Sequence, residues 1–564
     1  MDRNLKWELI KLDIRNFTVP YSIAKKQKNS ALESELNKRY NKLHAITHTS
    51  LCDPLIMEEF NNVKNELEQI EKHKANGIIL RSKCKWVEQG EKNTSYFLRL
   101  EKHNFCNKLI TQLDVDGKII SDPMEILRAE KLFYENLYTD PKVDNSTFSE
   151  NAEIFTRNDA IPKVTDDQKE LCELELTEVE LLKSLKTQTN GSSPGSDGLP
   201  AEFYKLFWKD IKVPFVESVR CSMEKGELSI EQKRGIITLI PKKEKNRLFK
   251  KNWRPIALLN ADYKIIAKAL ANRLCDMLPD IINEDQTGYI KGRYIGCNIR
   301  LVEDIIMYTE NTNKPGIILT VDFEKAFDSI SHKFIDKSLE AFNFGPKFRS
   351  LIFMLYNNIS TSIINNGDIS EWFSPTRGVR QGCPLSPYLF LIAVELLAIA
   401  IRENPNIKGI DVCGTDIKIS QLADDTTCFV SDTDSIAEIC RIFKAYEQCA
   451  GLKVNIEKTR AKFIGSLKNR TDSPFGLDWS EENVYTLGIK ITGKEQDHYN
   501  LNFKHRILNL KNILKVWKGR KLSLKGKITV INNLALPPLL YVGSIIHVPN
   551  IVFKEVKKHI TDLI

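Results

Sequence analysis

The 564-residue chain is too long for a single hydrophobic core, and its 42% hydrophobic and 28% charged residues describe an ordinary soluble protein of several domains or subdomains. No apolar run reaches the length of a membrane span: the longest, PLSPYLFLIAVELLAIAI at 384–401, is interrupted by Pro387 and Glu395 and reads as a core helix, so no membrane partner is expected. The opening MDRNLKWELI has no apolar signal region, and the twelve cysteines form no CxxC pair, so an intracellular setting, nucleus and cytoplasm, is expected.

The first 80 residues read as charged helix. KLITQLDVDGKII at 108–120 predicts a hairpin turning at Asp116-Gly117, and Asp122 caps a helix that has Pro123 at its first position and runs to about Tyr138. Residues 139–165, rich in Asp, Asn, Thr and Pro, read as a linker. A helix opens at Thr177 with Glu180 completing a capping box, and the loop NGSSPGSDG follows at 190–198. Beyond it the pattern predicts helix at 200–209, strand at 235–240, helix at 261–282 and strand at 316–322. Two helices, a hairpin at 361–373, the apolar helix at 385–403, a helix at 433–449 and a strand at 485–492 complete the list. Such intermixing argues an α+β fold.

Charge is unevenly spread. Windows 72–108, 233–254 and 502–527 carry +6, +8 and +9, more than the +8 of the whole chain, so the remainder is acidic. Trp86, Tyr96, Phe97, Phe105 and Trp517 lie in or beside these windows, which points to a phosphate-lined track with stacking surfaces and hence to nucleic acid. Arg81, Lys83 and Lys85 in the first window and Lys518, Arg520 and Lys521 in the third are the candidate contacts.

Two adjacent carboxylates, Asp424 and Asp425, stand in QLADDTTCFV between strand formers, where a solvated turn is the simplest reading. Asp322 alters that reading. It ends the apolar strand GIILTVD, and a carboxylate at the rim of a buried strand requires a partner or a metal. Three carboxylates suit phosphoryl transfer, which needs charge neutralisation more than covalent help from the protein. Asp328, six residues on, has the plainer expectation of capping or turn formation. His44, His48 and Cys52 recur at a four-residue spacing that could share a helix face as metal ligands, but a polar surface helix is the favoured reading.

In order along the chain, SPGSDGLPAEFYK (193–205), LIPKK with NWRPIALLN (239–260), LTVDFEKAFD (319–328), GVRQGCPLSP (378–387), ADD (423–425), GLKVNIEKT (451–459) and LGIKI (487–491) resemble the reverse transcriptase of LINE-type non-LTR retrotransposons, the ORF2 type. WVEQGEKNTSYFLRLEK (86–102) is similar to the extension before the fingers in that family, and LSLKGKITVINNLALPPLLY (522–541) to its thumb. The resemblance implies a right-hand polymerase with fingers, a ferredoxin-like palm and a helical thumb. It divides the chain into an N-terminal RNA-binding extension (1–165), fingers and palm (166–492, core 225–492) and a thumb (493–564). Neither an upstream endonuclease nor a Cys/His-rich C-terminal segment is visible, and a piece of a longer protein is expected.

By the same resemblance, Asp322, Asp424 and Asp425 are ligands of two Mg²⁺ ions, with Mn²⁺ as the substitute. Lys242 and Arg254 hold the triphosphate of the incoming dNTP, and Phe323 and Gln381 lie at the nucleotide. Phe327 takes the position whose bulk excludes a ribose 2′-hydroxyl, which disfavours RNA synthesis. Gly382 lets backbone approach the template, and Lys458 protonates the pyrophosphate leaving group. The family usually carries an aromatic residue before ADD; here Leu422 packs without stacking on the primer end. The implied partners are template RNA, a DNA primer or nicked target DNA, and dNTPs. The alternative is a catalytically inactive RNA-binding protein derived from a retroelement.

Overall fold

The computed structural model describes residues 2–49, 54–81, 102, 109–141, 143–242, 244–479, 483–491, 497–520 and 522–564. The charged N-terminal stretch forms two helices, Arg3–Thr49 and Pro54–Arg81, which pack along each other through Leu36, Leu43 and Val63, flanked by Tyr40, Ile56, Phe60, Leu67 and Ile70. His44 is part of this packing, its ring 5.7 Å from that of Tyr40. Cys52 lies outside the described residues. The other end of the first helix is anchored in the main body. Trp7 is fully buried, and its Nε1 and the Nζ of Lys11 each donate to Asp262 Oδ2 at 3.0 Å.

Local signals fold as their chemistry dictates. Leu113–Val115 and Lys118–Ile120 pair around Asp116 and Gly117, both at positive φ, and Asp122 accepts from the amides of Met124 and Glu125 at the start of Pro123–Tyr138. Thr177 and Glu180 make the reciprocal capping box. The expected linker is different: Asn145–Thr156 is a helix capped by Asp144, and Phe155 is buried edge-on to Tyr446 at 5.0 Å. Its apolar content is small, but it meets a distant apolar surface that a local reading does not contain. The expected helix at 261–282 is divided into Ala261–Cys275 and Leu278–Ile281, where Pro279 starts a new turn.

Two four-stranded sheets place the functional segments, and the mixture of helix and sheet is α+β as expected. In one sheet Trp253–Leu259, Arg234–Pro241, Ser360–Asn365 and Asp368–Ile369 are neighbours in that order, with Arg234–Pro241 and Ser360–Asn365 parallel. The other is wholly antiparallel, in the order Ile419–Leu422, Asp425–Val430, Pro315–Val321, Arg460–Gly465. The helix Ser386–Arg402 is buried on nearly every side and packs against the helices His332–Ala341 and Thr433–Ala450. A separate core joins the helix Gly296–Thr312 to the C-terminal helices through residues such as Val302, Phe503, Leu510 and Val542. Among the described residues no helix is long and apolar enough to cross a membrane.

Candidate active site

The antiparallel sheet brings the three carboxylates to one end. Val321 pairs with Thr426, so Asp322 leaves its strand beside the start of Asp425–Val430. Leu422 pairs with Asp425 across a turn made by Ala423 and Asp424, one residue earlier than a turn centred on the two aspartates. Ala423 is in the left-handed region at φ 56, a conformation that costs a non-glycine residue and needs support. Support comes from residues 285–288. Ala423 N donates to Gln286 Oε1 at 2.7 Å, Thr287 N to Gln421 O at 2.9 Å, and Gln421 N to Asp285 O at 2.8 Å. A Cβ on Gly288 would stand 2.6 Å from Ala423 N, so only glycine permits this approach. Tyr289 follows, exposed beside Asp424 and edge-on to Phe327 at 6.4 Å. The sequence reading passed over these residues; the only local signal is a glycine within the polar run QTGY.

Burial pushes the Asp424 carboxyl upward and the nearby Asp322 adds to it, against the pull of its own backbone amide and of Lys458. Asp425 is pushed up to about 6 by its surroundings, then by Asp424 and Asp322. Lys458 Nζ lies 2.9 Å from Asp322 Oδ2, an exposed pair that contributes about 1 kcal/mol or less. Among the described residues no group of three or more His, Cys, Asp or Glu side chains is arranged so that it could hold a metal ion as it stands. The chemistry of the donors nevertheless fits a hard divalent cation: the set is all oxygen, and its mutual repulsion is what such a charge relieves.

Lys242 and Arg254 sit on the hairpin of the first sheet, where Arg254 pairs with Ile240 and Lys242 Nζ donates to Lys251 O at 3.0 Å. The Lys242 ammonium is disfavoured first by burial and then by Lys458 and Arg254, with Asp322 and Asp328 opposing, so its field is that of the site itself. Phe327 stacks on Phe390 with ring centres 4.3 Å apart and remains partly open. The Phe323 ring is buried edge-on to Phe443 at 5.9 Å, because the side chain after Asp322 points to the opposite face of the chain and enters the core. Ala257 N donates to Gln381 O at 2.8 Å, and a Cβ on Gly382, at φ 109, would stand 2.8 Å from Ala257 O.

Asp328 is more than a turn residue. It is buried, and its Oδ1 accepts from both Tyr138 Oη and Gln381 Nε2 at 2.9 Å. Burial pushes its carboxyl up to about 6, with the Tyr138 hydrogen bond and the Lys325 charge holding it down. Of the candidate nucleic-acid contacts, Arg81 closes the second N-terminal helix, and Lys83, Lys85 and Lys521 lie outside the described residues. Lys518 is exposed at the end of the helix Lys504–Lys518, and the Arg520 guanidinium lies over Trp517 at 4.4 Å.

Residues 240–491 match the family model described as reverse transcriptase (RNA-dependent DNA polymerase). The chain is 30% identical over 496 residues to the uncharacterized 149 kDa protein of transposon TX1 from Xenopus laevis, a match that covers 87% of this chain and 37% of that protein. It is 25% identical over 364 residues to the retrovirus-related Pol polyprotein of a type-1 R2 retrotransposable element from Popillia japonica, covering 62% of this chain and 49% of that one. A third relative is the Pol polyprotein of the type-2 element R2DM from Drosophila melanogaster, 28% identical over 247 residues, 43% of this chain and 20% of that protein. The chain thus spans half or less of the length of each of these relatives. Residues 240–491, which carry Asp322, Asp424 and Asp425 to one sheet end, thus match the reverse transcriptase family, and the chain is similar to proteins of retrotransposable elements.

Proposed function

We propose that this chain is an RNA-directed DNA polymerase that extends a DNA 3′ end on an RNA template. The observation that carries the reading is the convergence of Asp322, Asp424 and Asp425 on one sheet end, with Lys242 of the other sheet close enough to feel the charge of Asp322. In this reading the antiparallel sheet is the palm, the sheet holding Arg254 is the fingers, and the C-terminal helices are the thumb. Residues 1–165 serve as an RNA-binding extension. Asp322, Asp424 and Asp425 would hold two Mg²⁺ ions, which when bound supply the charge neutralisation that nucleotidyl transfer requires.

The chain's own groups do the rest. Lys242 and Arg254 neutralise the triphosphate, a role that a fixed guanidinium suits. Phe327, braced by Phe390, closes the space beside the sugar 2′ position. Gly382 admits backbone to close approach, and Lys518, Arg520 and Lys521 attract phosphate from the thumb side. Lys458 carries the proton that the pyrophosphate oxygen gains on leaving, and must exchange its resting contact with Asp322 for one with the substrate. Primer extension on matched RNA and DNA templates, with dNTPs and rNTPs compared, tests the proposal. Incorporation of dNTPs on RNA is the expected result; tight RNA binding with no incorporation in Mg²⁺ or Mn²⁺ would reverse it in favour of an RNA-binding protein.

A further inference from the structure

The loop that supports the Asp424 turn is fastened at several points and leads to an exposed ring. The Arg293 guanidinium donates to the carbonyls of Asn283, Gln286 and Ile282, the last two at 2.7 Å. Arg402 Nε donates to Asp285 Oδ2 at 2.9 Å, and Asn298 accepts from Thr287 Oγ1 while donating to Gln421 O at 2.9 Å. Tyr289 follows in the left-handed region at φ 56, a costly conformation for a bulky residue. Its ring stays 54% exposed although it stands edge-on to Phe327 at 6.4 Å and one residue from Gly288, which lies against Ala423 in the Asp424 turn. A strained backbone, fastened so as to keep an aromatic ring open beside carboxylates, marks a contact with something that has an apolar face.

We propose that Tyr289 packs against the 2′ side of the sugar at the primer's 3′ terminus and makes the chain prefer a DNA end to an RNA end. The inference rests on the polymerase reading, in which Phe327 closes the 2′ side of the incoming sugar and the primer end reacts beside Asp424. Successive sugars of a duplex strand present their 2′ positions along one groove edge. A ring that touches Phe327 on one side and follows the loop under the Asp424 turn on the other therefore meets the sugar before the incoming one. A deoxyribose offers that ring only carbon and hydrogen at 2′. A ribose would press a hydroxyl against it and strip that hydroxyl of water. The exclusion is made by the ring, so the phenolic oxygen is not needed for it.

The test compares extension by the full chain from two primers on one RNA template, identical except that one ends in a deoxynucleotide and the other in a single ribonucleotide. Wild type should favour the deoxy end by about tenfold or more in kcat/KM for primer–template, the order by which an apolar site rejects an added hydroxyl. Tyr289→Gly removes the ring at a φ that glycine adopts freely, so the preference should fall to within about twofold of unity with no loss of melting temperature. Tyr289→Phe should keep the preference. The dNTP to rNTP preference should move by less than about twofold in Tyr289→Gly, because the incoming sugar is closed off by Phe327. Equilibrium binding of the two primer–templates without divalent ion or nucleotide gives a second readout: the deoxy end should bind tighter to wild type and not to Tyr289→Gly. A folded Tyr289→Gly that keeps the wild-type primer preference overturns the inference, as does a wild type that extends both ends alike. So does a parallel loss of primer and nucleotide discrimination, which would make Tyr289 only a brace for Phe327. A wild type that incorporates nothing on the deoxy end refutes the polymerase reading itself, and the inference with it. Should Tyr289→Gly lose its melting transition, Tyr289→Asn, whose side chain also suits positive φ, decides by the same ratios.

Discussion

Ile317, Leu319 and Val321, on the strand that ends at Asp322, are at most 4% exposed, whereas Leu12, Phe17, Val19, Tyr21 and Ile23 on the first helix are each at least half exposed. The strand is enclosed by partners on both edges and by side chains on both faces, so its end is a fixed platform for charge. The helix is held by Trp7 and Lys11 at the body and by Leu36 and Leu43 against its neighbour. Between them its stability comes from its own backbone and from whatever covers it. Positional accuracy and reach are thus divided between the two regions, and substitutions should separate them.

The largest effect is expected at the platform's charged end. Asp424→Ala should lower nucleotide incorporation about a thousandfold or more while leaving RNA affinity nearly unchanged, since loss of an anion cannot weaken attraction to phosphate. Single-turnover primer extension and filter binding measure the two quantities, and activity within tenfold of wild type would break the assignment. The comparison itself is probed by stability. Ile317→Ala should cost about 2–5 kcal/mol in denaturant unfolding, against about 0.5 kcal/mol or less for Leu12→Ala. Equal costs would mean that the helix is no less enclosed than the strand.

Within the platform, Phe327→Ala should reduce discrimination against rNTPs by about tenfold, because removal of the ring opens the space where a 2′-hydroxyl would stand. Unchanged dNTP to rNTP ratios of kcat/KM would relegate the ring to packing on Phe390. The smallest effect belongs to the N-terminal region. Neutralising Arg81, Lys83 and Lys85 together should flatten the salt dependence of RNA binding by roughly two units, at about 0.7 per contact, for every RNA sequence alike. A folded triple variant with an unaltered slope would identify these residues as a solvated face.

What was legible in the sequence was local. The Asp122 cap, the Thr177 capping box, the turn at Asp116-Gly117, the apolar strand before Asp322 and the apolar helix Ser386–Arg402 each carry their cause within a few residues. The strands Trp253–Leu259 and Arg460–Gly465 and the helix Gly296–Thr312 were not separately resolved, because their edges and faces are completed by partners far along the chain. The same distinction runs through the site. Asp322, Asp424 and Asp425 announce themselves, since a carboxylate beside a buried strand conflicts with its surroundings. Gln286, Gly288 and Tyr138 do not, because each acts through a contact made only after folding. Phe323 differs from both groups: its ring is buried against Phe443, a contact that its place beside Asp322 in the sequence does not announce.

The helix Arg3–Thr49 has a mechanical consequence. Its 47 residues form a rod about 70 Å long, with Trp7 as its root and Pro20 interrupting the hydrogen-bond ladder less than halfway along. A rod rooted at one end is a lever arm: a tilt of about 5° at the root moves the far tip by about 6 Å over that length. Bending stiffness is lowest where the ladder is broken, so Pro20 is where such a swing would concentrate. Spin labels at the exposed positions 12 and 42 would read its amplitude as a spread of distances, and Pro20→Ala should narrow that spread.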